Sequence, residues 1–141
     1  MISTATPNFS RYLITLPDFA LYFLCAMILL GAFVMIYTRM TPQHEWRLIR
    51  EGNAAAAVSL AGAMLGFVLP LGSAILNSLS LMDMVVWGLV ALVIQLLAFA
   101  IARALLARLP ERISKGEMAA GITAAAFSIS IGVLNAACMT Y

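Results

Sequence analysis

The sequence predicts an all-α integral membrane protein: four transmembrane helices, built as two parallel two-helix repeats, with both termini on the periplasmic side. Three observations carry this reading. Residues 19–37, 54–82, 84–102 and 118–141 contain no charged side chain, and a hydrocarbon layer roughly 30 Å thick is crossed by about 20 apolar residues of helix. Hydrophobic residues make up 64% of the chain and charged ones 10%, too little charge to cover a soluble fold. Seven of the eight basic residues fall in two loops: Arg39, Arg47 and Arg50, then Arg103, Arg108, Arg112 and Lys115. Basic loops stay in the cytoplasm, so both termini and the short Leu71–Asp83 connection between spans two and three face outward. Lipid satisfies no open backbone groups, so apolar spans of this kind are helical.

Residues 1–16 read as an N-terminal tail, followed by one membrane domain over 17–141. The tail has no basic start before its apolar run and no clean cleavage site after it, so span one is expected to be a permanent helix rather than a signal peptide. Thr15 and Asp18 form a capping-box pattern at its start, a hydroxyl followed three residues later by an acid. Ser80 and Asp83 repeat the pattern before span three. In the first basic loop, Thr41-Pro42 predicts the start of a short helix, with a capping hydroxyl and proline in the first turn. Trp46 and Ile49 then share one face, suited to the headgroup level with arginines reaching lipid phosphates. Leu109-Pro110-Glu-Arg112-Ile113 is a shorter counterpart in the second loop. Trp46, Arg47, Arg50, Arg108 and Arg112 are therefore the candidate contacts to membrane lipids or to a docking protein.

Spans two and four carry the packing signals. Span two contains Gly62 and Gly66, then Pro70; span four places Ala120, Ala124, Ser128, Gly132 and Ala136 at every fourth position. Small residues at this spacing let helix backbones approach closely in lipid. These two helices are expected at the centre, with bulkier spans one and three outside. Pro70 removes a backbone donor and is expected to kink or end its helix. Polar residues within the spans are few. Gln95, near the middle of span three, calls for an interhelical hydrogen bond, with a pore lining as the alternative. Asn77 and Asn135, near the outer ends of spans two and four, end helices or form a polar mouth.

A shift of 64 residues lays Ile49, Gly52, Ala55, Ala56 and Ala61 on Ile113, Gly116, Ala119, Ala120 and Ala125, with Ser59 on Thr123 and Arg39 on Arg103. Alanine-rich helices align easily, and it is the non-apolar landmarks that favour a duplication. Repeat one spans about 17–79 and repeat two about 80–141. Two spans return the chain to its starting side, so the repeats have the same orientation, unlike the inverted repeats of many transporters.

Chemistry has little foothold. His44 is the only histidine and lies in a charged loop. No Cys/His cluster has metal-ligand spacing, no glycine-rich phosphate loop is present, and the six acids sit mostly at span boundaries without a convincing acid–base pair. Cys25 and Cys138 read as free thiols. No metal, cofactor or nucleic-acid partner is called for, and the chain is not expected to be an enzyme.

Four blocks carry a family resemblance: Thr41-Pro-Gln-His-Glu45-Trp46-Arg-Leu-Ile49; Gly62 to Gly66 with Phe-Val-Leu-Pro70-Leu71; Trp87-Gly with Gln95-Leu-Leu beyond; and Asn135-Ala-Ala-Cys138-Met-Thr. They resemble the YjfL-like family of small bacterial inner-membrane proteins, built from a duplicated two-helix domain of unknown function. The resemblance covers nearly the whole chain from span one onward and implies four spans in the bacterial inner membrane, without catalytic residues. It also implies, by the company such proteins keep with a membrane-remodelling protein of the phage-shock type, a cytoplasmic partner and a part in envelope maintenance or membrane stress. Taken together, the expectation is a non-enzymatic, homo-oligomeric membrane component acting through lipid or partner binding. A small oligomeric channel or transporter for ions or solutes is the alternative.

Overall fold

A computed structural model describes residues 9–42 and 44–140, with side chains from residue 12. The order of elements is α1 (Phe9–Met40), α2 (Glu45–Arg50), α3 (Ala54–Asn77), α4 (Leu81–Leu105), α5 (Leu109–Ser114) and α6 (Met118–Cys138). Among the described residues four helices, α1, α3, α4 and α6, are long and apolar enough to cross a membrane. The all-helical, four-span architecture is as the uncharged runs predict.

The ends of these helices follow local chemistry more closely than charge does. α1 starts at Phe9, so the segment taken as tail is helical from there, and the residues before Phe9 lie outside the described ones. The Thr15 hydroxyl donates back to the Tyr12 carbonyl at 3.1 Å, so the Thr15–Asp18 pattern lies inside α1 rather than at its start. The helix also runs through Pro17. The second box does form: the Ser80 hydroxyl accepts from the Asp83 amide at 3.2 Å, and the Asp83 carboxylate accepts from the Leu79 amide at 3.1 Å. That cap starts α4 at Leu81 and leaves only residues 78–80 between α3 and α4, where a connection over Leu71–Asp83 was expected. α3 continues past Pro70 to Asn77 without a break, so proline neither ends nor unwinds it.

α3 and α6 make the most extensive helix–helix contact in the fold, at the small-residue seam. A methyl added to Gly62 would overlap Ala125, and one added to Gly132 would come within 2.6 Å of the Gly66 Cα. With no hydrophobic drive between helices in lipid, this backbone proximity is what holds the pair. α4 packs on both, so it lies deeper than expected: Met84, Gly88, Ala91, Leu92, Gln95 and Phe99 form its buried stripe. α1 is the peripheral span, with 11% of its apolar window buried against 56% for α3. Its anchors are aromatic. Phe33 stacks on Phe67 of α3 at 4.7 Å, and Tyr37 meets Phe99 of α4 edge-on at 4.8 Å.

The two short helices cover the same end of the bundle. Leu48 of α2 and Leu109 and Ile113 of α5 pack over Ala55, Ala56, Ala120 and Ala124 at the starts of α3 and α6. Each short helix begins after a left-handed residue, His44 (φ 45°) or Arg108 (φ 57°), and ends at a left-handed glycine, Gly52 (φ 86°) or Gly116 (φ 77°). Each glycine supports the same paired cap: Gly52 donates to the Ile49 carbonyl and Asn53 to Leu48, Gly116 to Ile113 and Glu117 to Arg112. The corresponding residues of the two loops stand 64 positions apart. Asn53 ties the loops together, since its amide nitrogen donates to the carbonyls of Ile113 (2.9 Å) and Ser114 (3.2 Å) while its oxygen caps α3 at the Ala56 amide.

Candidate functional site

Two places merit attention, the polar residues inside the bundle and the basic end covered by α2 and α5. Inside, Gln95 is 1% exposed and its Nε2 donates to the Ser128 carbonyl at 3.1 Å, joining α4 to α6. Gly66 is opposite, and a side chain there would overlap both the Gln95 amide and the Ser128 backbone. Gly62, Gly66, Pro70, Gln95, Ser128, Gly132 and Asn135 are all buried. The structure therefore brings Gly66, Gln95, Ser128 and Gly132 into one tightly packed layer. Three polar atoms of the membrane spans, Oγ of Ser59, Oε1 of Gln95 and Nδ2 of Asn135, are buried with no hydrogen-bond partner among the described residues. Asn77 lies elsewhere: its amide donates to the Ser73 carbonyl at 2.8 Å one turn back, near the end of α3, and Ser73 donates to the Ala136 carbonyl of α6 at 3.0 Å. This is helix-end chemistry, and no hydrogen bond joins Asn77 to Asn135.

At the basic end, α2 differs from its sequence reading. Thr41 belongs to the close of α1, its amide donating to the Tyr37 carbonyl and its hydroxyl to Thr38 at 3.1 Å. The N-cap position of α2 falls three residues later, at His44, which makes no side-chain cap, and the helix starts at Glu45. The buried face of α2 is Glu45 and Leu48, while Trp46 is half exposed and Arg47 and Arg50 point outward. A cavity of about 430 Å³ opens beside it, lined by Thr38, His44, Glu45, Trp46, Arg47 and Arg50.

Glu45 is the residue that sequence reasoning missed. It is 0% exposed, and the Tyr37 hydroxyl of α1 lies in hydrogen-bonding contact with its carboxyl group. A carboxylate buried this deeply is tolerated only with a partner, and this one pins α2 to α1. Leu109, 64 positions further on, holds the matching first position of α5 and is buried as well. An acid aligned with a core leucine is an acid in the core.

The second loop uses its charges otherwise. Arg112 forms a two-point ion pair with Glu117, its Nε donating to Oε2 at 2.8 Å and its Nη2 to Oε1. The hydrogen bond from Arg112 holds the Glu117 carboxyl below the usual carboxylate range. Arg108 is exposed at the left-handed turn before α5. Among the described residues no three His, Cys, Asp or Glu side chains gather as a metal site would need. Cys25 and Cys138 are free thiols, one half-buried and one exposed.

Four apolar spans with the basic loops folded over one end define a small multi-pass membrane protein. The family described as Domain of Unknown Function (DUF350) matches residues 11–139, and the chain belongs to that family. It is 42% identical over 123 residues to the UPF0719 inner membrane protein YjfL of Escherichia coli strain K12, covering 87% of this chain and 93% of that protein. It is 28% identical over 120 residues to the UPF0719 transmembrane protein YshE of Bacillus subtilis strain 168, covering 84% and 88%. No solved structure matches. The resemblance carried by the four sequence blocks is thus borne out, and the chain is a multi-pass protein of the bacterial inner membrane.

Proposed function

We propose that this chain is a non-enzymatic inner-membrane component that works from its cytoplasmic end, binding lipid or a partner protein in envelope maintenance or membrane stress. The observation that carries the reading is the division of labour between the two places just described. The interior polar groups are enclosed by the α3–α6 seam, whereas Trp46, Arg47 and Arg50 stand exposed around a cavity. Placing that end in the cytoplasm follows from the basic residues concentrated there, and it puts both termini outside. The matched loops, with left-handed residues and glycine caps 64 positions apart, support two parallel repeats descended from one helix pair. The long exposed apolar side of α1 supports contacts between copies, and the exposed α2 face supports a cytoplasmic membrane-remodelling partner.

The competing reading is an oligomeric channel with Gln95 in its path. Solute and ion flux into liposomes containing the purified protein separates the two. The proposed function predicts flux no greater than in empty liposomes. Flux that disappears in Gln95→Leu would instead establish the channel.

A further inference from the structure

We propose that the cavity between the end of α1 and α2 seats the phosphate headgroup of an anionic phospholipid, with an acyl chain running down α1. The inference rests on the lipid-binding reading above and narrows it to one loop, one set of residues and one ligand class.

Its position comes first. Thr38, two residues before the end of the span, forms one wall, and half-exposed Trp46 forms another. That is the depth at which indole rings and phospholipid phosphates meet. Charge comes second. Arg47 and Arg50 line the cavity. Arg47 makes only a loose 3.8 Å contact with Glu51, both side chains largely exposed, a pairing weak enough to exchange. Arg50 has no ion pair among the described residues. Two guanidinium groups free to turn suit the oxygens of a phosphodiester. Glu45, the one acid in the lining, is closed to solvent and in contact with Tyr37, so it forms part of the floor, and the two arginines outnumber it.

The other loop provides the contrast that makes this a site rather than a general basic end. In α5 the positions of Trp46, Arg47 and Arg50 are taken by Pro110, Glu111 and Ser114, and Arg112 is committed to Glu117. Below the cavity, Thr38, Met35, Gly31, Ile28 and Leu24 fall on one face of α1. Met35, Ile28 and Leu24 are exposed, and nothing lies within 4 Å of where a Gly31 side chain would start. This is an open apolar track leading from the headgroup position into the bilayer.

Native mass spectrometry of the purified full chain, offered phosphatidylglycerol and phosphatidylcholine in equal amounts, tests the proposal. Each arginine facing an anionic headgroup contributes about fivefold in affinity, so the protein is expected to retain phosphatidylglycerol well beyond fivefold over phosphatidylcholine. Arg47→Gln with Arg50→Gln removes the preference. Arg103→Gln with Lys115→Gln, matched in charge, keeps it. Equal retention of the two lipids by the unaltered protein overturns the site, as does equal loss of preference in both double variants, which would assign it to net charge. Soluble glycerol phosphate displacing the lipid at equal concentration overturns the lipid assignment in favour of a free phosphate ligand. Failure here is distinct from failure of the broader reading, which the flux assay decides whichever lipid is retained.

Discussion

The carboxyl group of Glu45 on α2 and the phenol of Tyr37 on α1 meet in a spot closed to solvent, the two residues 0% and 2% exposed. The contact bridges the end of a membrane span and a helix of six residues too short to be stable alone. It makes α2 a fixed part of the bundle's end rather than a loose amphipathic segment.

The coupling between these two residues is measurable. A double-mutant cycle with Glu45→Gln and Tyr37→Phe, read by denaturant unfolding in detergent, is expected to show an interaction of about 1–3 kcal/mol, the range for directly hydrogen-bonded neighbours. Strict additivity would contradict the contact.

The seam between α3 and α6 predicts a steep dependence on two glycines. Gly66→Ala and Gly132→Ala each force a methyl into backbone or the Gln95 amide, and overpacking of this kind costs about 1–3 kcal/mol or more. Gly31→Ala, in the middle of α1 with open space around it, is expected to be neutral or slightly stabilising through helix propensity. Equal effects at the three positions, measured by thermal unfolding, would contradict a close α3–α6 approach.

Gln95 is expected to contribute little stability despite its burial. Its single hydrogen bond, to the Ser128 carbonyl, belongs to a class that averages about 0.6 kcal/mol in membrane proteins, and Leu in its place also removes a buried oxygen without a partner. Gln95→Leu should therefore change unfolding stability by less than about 1 kcal/mol. A large loss would mean that Gln95 is held by more than the Ser128 bond.

The Arg112–Glu117 pair predicts a pH dependence with a definite sign. Arg112 holds the Glu117 carboxyl below its ordinary value of 4.5, so the pair stabilises the fold above that value and loses its effect as pH falls through the lower, folded-state value. The melting-temperature difference between the protein and Glu117→Gln should be present at neutral pH and close on strong acidification. A difference unchanged by acid would contradict the pairing.

Much of this fold was legible in the sequence, because the bilayer reduces the problem to length and charge. The four spans follow from uncharged runs, and the α3–α6 seam follows from Gly62, Gly66, Ser128 and Gly132. Helix ends were less legible. Whether Ser80 caps or Thr15 folds back on its own helix depends on where the helix starts, and both residues carry the same pattern. Glu45 was the largest gap. A charged residue in a charged loop reads as solvated, and only the fold, which brings Tyr37 of α1 against it, shows it to be core. Of the residues expected to contact lipid or a partner, Trp46, Arg47 and Arg50 gather around one cavity. Arg112 is diverted by Glu117, five residues on along the chain, a pairing set by the turn at Gly116 rather than by helical spacing.

The most direct test of the central claim, a closed interior with an active cytoplasmic end, is electron microscopy of the protein in lipid nanodiscs with bound lipid retained. The account predicts a dry seam at Gly66, Gln95 and Ser128 and ordered lipid density beside Trp46, Arg47 and Arg50. A continuous polar path past Gln95, with no lipid at α2, would contradict it.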